Sequence, residues 1–191
     1  MPVLQEIKSQ LAKLLATEDL VVEHRKVSTA QFDVHKRVLT LPMWESASNT
    51  VYDLLVGHEV GHALFTPDED PPKGIPHSFI NIVEDARIEK LMKRKYPGMN
   101  KTFYRGYKNM NDDDFFSIVD EDVSSMNLAD RTNLYFKIGN FIDIEFNEEE
   151  MNIVRIVADC ETFEEVGEAA RVLYNHCKKE VKNETQDIDA S

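Results

Sequence analysis

Two histidines and a glutamate stand close together at His58-Glu59-Val60-Gly61-His62. The run around them, from about Thr50 to Phe65, reads as a helix. On a helix, residues four apart share a face, one turn apart. Two imidazoles so placed can grip one zinc ion from the same side. Glu59 lies about 100° round from His58, because the helix has 3.6 residues per turn. It therefore stands beside the metal rather than on it. From there it can take a proton from a metal-bound water, whose pKa zinc lowers to about 7. The plain alternative is a surface histidine pair with a surface acid. Leu54, Leu55, Val56, Val60, Ala63, Leu64 and Phe65 argue against it, because they make the helix apolar around most of its girth. A buried helix does not keep two histidines and a glutamate without partners for them. Gly57 and Gly61 are also unusual here, each costing about 1 kcal/mol relative to Ala. Four apart, they form a small-residue stripe expected to admit another backbone.

A zinc site with two histidines needs a third protein ligand and an open position for water. A second helix laid against the first should supply it. The next helical run, Ser78 to Lys95, carries Glu84 and Asp85. Glu84 shares its face with Ile80 and Ile88, and a carboxylate on an apolar face requires compensation, which a metal supplies. Glu84 is therefore the expected ligand. Asp85 shares its face with Asn81 and Glu89, and suits an outer role, accepting the other N–H of His58 or His62. Arg87 can orient either acid. Without the histidine motif, this helix would read as a salt-bridged surface.

Peptide hydrolysis passes through an oxyanion, which a Tyr, His or Arg near the metal stabilises. His77, Tyr104, Arg105 and Tyr107 are eligible, and the sequence does not choose among them. Cys160 and Cys177, with His176, match no zinc spacing; they read as two reduced thiols.

The run His58 to Pro67, with Val83-Glu84-Asp85-Ala86-Arg87-Ile88-Glu89, resembles the zincin metallopeptidases. Within them it resembles the gluzincin branch, where a glutamate on a later helix is the third ligand. It is similar, more narrowly, to a phage and bacterial group whose peptidase-like region often precedes a von Willebrand factor A domain and is labelled as like a cobalt-chelatase subunit. The likeness covers roughly residues 29 to 98. It implies a small α+β fold, mainly helical, with a helix-borne site under a short sheet. It also implies one zinc ion and a peptide or protein substrate. A C-terminal A-type domain, present in a longer protein, would be a natural partner. Metzincins fit less well: Asp68 stands at their last ligand position, but Phe65 replaces their glycine. A peptide deformylase needs a cysteine ligand upstream, and the first cysteine is Cys160.

The elements that must position these groups can be read in order. Leu4, Ile7, Leu11, Leu14 and Leu15 space an amphipathic first helix over Val3 to Leu15. Thr29 to Val34 and Arg37 to Leu41 alternate, with turn residues Asp33 to Lys36 between them. They predict a small antiparallel sheet ahead of the zinc-binding helix. The strand nearest that helix either offers a free edge to an extended peptide or merely completes the sheet. His35 falls in the turn, where a solvated side chain is expected. Ser48 or Asn49 caps the zinc-binding helix. Four prolines and Gly74 make Thr66 to Pro76 a loop. It forms either part of a cleft rim or a plain connector. From Asn127 onward the pattern is helical, over 128–141, 147–160 and 162–181, with Asn147 and Thr162 as helix starts. The expected organisation is one domain over 1–182. The sheet and site helices occupy 20–98, a helical half 99–182, and a disordered tail 183–191.

Composition bounds the rest. The 191 residues are 42% hydrophobic and 30% charged, which suits one good core. A net charge of −13 argues against nucleic acid or an anionic membrane as partner. No apolar run would span a membrane, and the N-terminus lacks a signal-peptide pattern. A cytoplasmic location is expected, in the host if the source is a phage. The reading favoured is a zinc metallopeptidase. The alternative is a latent or non-catalytic zincin-fold module that recruits a protein partner.

Overall fold

The computed structural model describes residues 2–44 and 47–189. Residues 45 and 46 of the expected sheet-to-helix link, and residues 190 and 191 of the expected tail, lie outside them. The described chain is mainly helical with one small sheet. It divides into two compact units, one of residues 1–69 and 88–116, the other of 70–87 and 117–191.

The first unit opens with helix α1 (Pro2–Ala16) and strands β1 (Val21–Arg25), β2 (Gln31–Asp33) and β3 (Val38–Pro42). Lys8, Ala12 and Ala16 form the inward face of α1, while Leu14, 76% exposed, and Ile7 point to solvent. Leu11 and Leu15, half-buried, flank that face, so the apolar stripe is only partly the packing face. Lys8 is drawn inward because its ammonium pairs with Asp53. The sheet runs in the order β1-β3-β2 and is mixed, not antiparallel. β2 and β3 make the expected antiparallel pair, with Phe32 opposite Leu39. β1 pairs with β3 in parallel, Val22 beside Leu39. β3 is thus the central strand, so the strand leading toward the histidine helix has no free edge for a peptide.

Helix α2 (Asn49–Phe65) carries the histidine motif. Its N-cap is Ser48, whose hydroxyl accepts from the Val51 amide, satisfying a donor that the first turn leaves unpaired. The Tyr52 hydroxyl donates to the Pro42 carbonyl at 2.6 Å, and Arg37 donates to the Ala63 carbonyl at 2.8 Å. These two bonds tie α2 to the end of β3 and to the turn before it. His35, in that turn, is exposed and lies 2.8 Å from Asp68.

Helix α3 (His77–Lys95) is continuous, and its residues from Ile88 onward belong to the first unit. Helix α4 (Met99–Asp112) completes that unit. The glycines explain how the helices approach. A Cβ at Gly61 would sit 2.8 Å from Ile88 Cδ1 and 3.0 Å from Met92 Cγ, both on α3. A Cβ at Gly57 would sit 3.0 Å from Met99 Sδ at the start of α4. The two glycines therefore serve different neighbours rather than one stripe. The backbone that comes close to α2 belongs to a third glycine, Gly106 on α4. A Cβ there would lie 2.5 Å from Leu54 Cβ.

The second unit holds the first part of α3 with α5 (Leu128–Ile138), α6 (Glu148–Asp159) and α7 (Phe163–Asp189). Its core gathers Ile80, Val83, Leu128, Ile153, Val157, Val166, Ala170 and Leu173. Asn147 caps α6, as expected, and forms a reciprocal box with Glu150. Cys160 and Cys177 are both free and buried. Burial pushes the Cys177 thiol up to about 11. The expected tail instead continues α7 to Asp189. Helix α4 packs against α2 within the first unit. Among the described residues, no helix is long and apolar enough to cross a membrane.

Candidate metal centre

His58 and His62 lie one turn apart on α2, with ring centroids 5.0 Å apart and planes at 75°. Each ring is engaged through Nδ1. His58 Nδ1 lies 2.8 Å from Glu89 Oε1, and His62 Nδ1 lies 2.9 Å from Thr66 Oγ1. Engagement of Nδ1 orients a ring; the carboxylate of Glu89 matches a proton on His58 Nδ1, whereas the Thr66 hydroxyl can donate or accept and leaves the His62 tautomer open. Glu59, between the two histidines in sequence, is 7% exposed.

The third ligand expected from the sequence was Glu84. It is 3% exposed, but its carboxylate is held by a two-pronged contact. Arg87 Nε donates to Oε2 at 2.8 Å, and Nη2 donates to Oε1 at 2.7 Å. The reasoning that a carboxylate on an apolar face needs compensation was sound. The compensation comes from a guanidinium three residues along, whose fork matches a carboxylate. Arg87 thereby orients Glu84, and its Nη1 donates to the Glu161 carbonyl at 3.2 Å.

Two imidazole nitrogens and a carboxylate oxygen form a donor set that suits zinc, and α3 offers two carboxylates near its middle, Glu84 and Asp85. Asp85 Oδ2 accepts from Lys137 Nζ at 3.0 Å. The outer role expected of Asp85 falls to Glu89 for one histidine and to Thr66 for the other.

The proposed oxyanion donors separate by exposure. His77, at the start of α3, Tyr104 and Arg105 are exposed. Tyr107 is buried and its hydroxyl donates to Glu89. None is singled out by its geometry. Glu89, Thr66 and Lys137 are the residues that sequence reasoning missed. Two had a signal: Glu89 lies one turn beyond Asp85 on the same face, and Thr66 one turn beyond His62. Lys137, distant in sequence, had none.

Comparison with protein-family models, with curated proteins and with solved structures finds no match to this chain.

Proposed function

We propose that this chain is a zinc-dependent metallopeptidase of zincin type, with His58 and His62 as ligands and an acid of α3, Glu84 or Asp85, as the third. The observation that supports the reading is that both histidines, one turn apart on one helix, are held at Nδ1 by neighbouring side chains. When bound, zinc supplies a Lewis acid that polarises a carbonyl and lowers the pKa of water to about 7. Glu59 accepts the proton of the attacking water and returns it to the leaving amine nitrogen. Its burial keeps solvent from competing for that proton. Glu84 and Arg87 form a mutually neutralised pair that stiffens α3 around Asp85.

The test is zinc content beside turnover of an unstructured protein substrate. Glu59→Gln is expected to keep one zinc per chain and to lose turnover by about 10²–10⁴-fold, the range for a general base. Equal turnover in that variant removes Glu59 from the mechanism.

A second reading rests on Lys137. An ammonium 3.0 Å from Asp85 Oδ2 already neutralises one of the two carboxylates offered to zinc. That favours a latent or binding module which recruits a protein partner without hydrolysing it. Zinc bound without turnover, in the wild type, would select this reading.

A further inference from the structure

The two histidines are held by unlike partners. Thr66, which holds His62, is the C-cap residue of α2 itself, a neutral hydroxyl supplied by the same stretch of chain. Glu89, which holds His58, comes from another helix, is 4% exposed, and brings a carboxylate. The same oxygen, Oε1, also accepts from the Tyr107 hydroxyl of α4. Residues from α2, α3 and α4 therefore converge on one atom. Their approach is set by the tight contacts already described: Gly61 against Ile88 and Met92, and Gly106 against Leu54.

A carboxylate this buried costs free energy unless its oxygens are hydrogen-bonded. Two donors on Oε1 supply part of that compensation. An ionised carboxylate accepts only, and so matches a proton on His58 Nδ1. Glu89 cannot swing away, because Tyr107 anchors the same oxygen. His58 thus has one tautomer and one ring orientation. His62 is less constrained, since a threonine hydroxyl both donates and accepts.

We propose that Glu89, seated by Tyr107, is a positioning residue of the metal centre, and that it makes His58 the anchoring ligand and His62 the weaker one. The proposal rests on the metal reading above. Loss of an outer-shell partner of a ligating histidine costs typically 10–100-fold in metal affinity. Glu89→Ala is expected near the upper end of that range. Glu89→Gln, which keeps an acceptor oxygen, is expected near about tenfold. Tyr107→Phe should fall between wild type and Glu89→Gln, and Thr66→Val should cost less than either Glu89 variant.

The experiment measures zinc affinity of the full chain by competition with a chelator, and the visible absorption of the cobalt-loaded protein. Thermal unfolding of the metal-free protein is followed alongside. Graded loss in the order given, with altered cobalt bands, supports the positioning role. Affinity and bands unmoved in folded Glu89→Ala, with only thermal stability lowered, overturn it and leave Glu89 a packing residue. If Glu89→Ala does not fold, Glu89→Gln and Tyr107→Phe decide, and wild-type affinity in both overturns the proposal. Thr66→Val costing as much as Glu89→Ala overturns the ranking of the two histidines. A wild-type chain that binds neither ion overturns the metal reading and the positioning role together. Wild-type binding with indifferent variants overturns the positioning role alone.

Discussion

Two clusters in this protein are built from the same residue types and differ in what neutralises them. In the first unit, His58 faces Glu89 and Tyr107. In the second, His176 lies 3.6 Å from both Glu149 and Glu180, with Glu150 close enough to join a ligand group. By composition either could hold a metal. The second cluster, however, contains its own cation. Arg131 donates to both oxygens of Glu150, at 3.0 and 2.6 Å, and lies 3.7 Å from Glu180. It also donates to the carbonyls of Met126 and Glu145. A guanidinium fixed by four partners leaves no call for a metal cation, and repels one. The comparison teaches that a histidine among acids is not yet a metal site. What differs is the kind and number of positive contacts: a single ammonium meets Asp85, whereas one guanidinium meets both oxygens of Glu150 and reaches Glu180.

The sharpest way to break the comparison is metal stoichiometry. His58→Ala is expected to reduce bound zinc from one per chain to none, and His176→Ala to leave it unchanged, as read by mass spectrometry of the metal content. Zinc lost with His176→Ala and kept with His58→Ala would reverse the assignment of the two clusters.

The next effect is on stability. Removing one partner of a buried ion pair costs about 3–5 kcal/mol, because the other charge stays buried. Arg131→Ala should therefore lower the denaturant midpoint by an amount of that size. A cost below about 1 kcal/mol would mean that the pair behaves like an exposed one.

The smallest effect concerns pH. The hydrogen bond from Arg131 holds the Glu150 carboxyl below its ordinary value of 4.5. A depressed carboxyl stabilises the fold above its unfolded pKa and loses that contribution as pH falls through the folded one. The stability advantage of wild type over Glu150→Gln should thus be full near neutrality and shrink as the pH drops below 4.5. A constant difference across that range would show that the charge on Glu150 contributes nothing.

The helices that carry chemistry were legible because their signals are local. Ser48 before an apolar run, Pro97-Gly98 after a helix and Asn147 ahead of three glutamates each act within a turn or two. The sheet was half legible. The β2–β3 pairing follows from a short turn, whereas the parallel partner β1 is joined to β3 only across β2, and alternation cannot announce that. The candidate site divides the same way. His58 and His62 follow from helix geometry alone. Face polarity says that the Glu84 charge needs compensation without saying by what, and Arg87, three residues away, supplies a guanidinium to it.

By itself the sequence determined that one helix presents two histidines on one face, with a glutamate beside them. The 3.6-residue period and the caps require it, and no distant contact can move residues four apart off that face. Only the tertiary structure decided that Glu89 and Tyr107 hold His58, and that Arg131 closes the other cluster. Those partners are separated by many residues, and which of several carboxylates meets which cation or ring depends on how closely the helices approach. In the first unit that approach was set by Gly61 and Gly106, where the absence of a single carbon lets neighbouring helices close in.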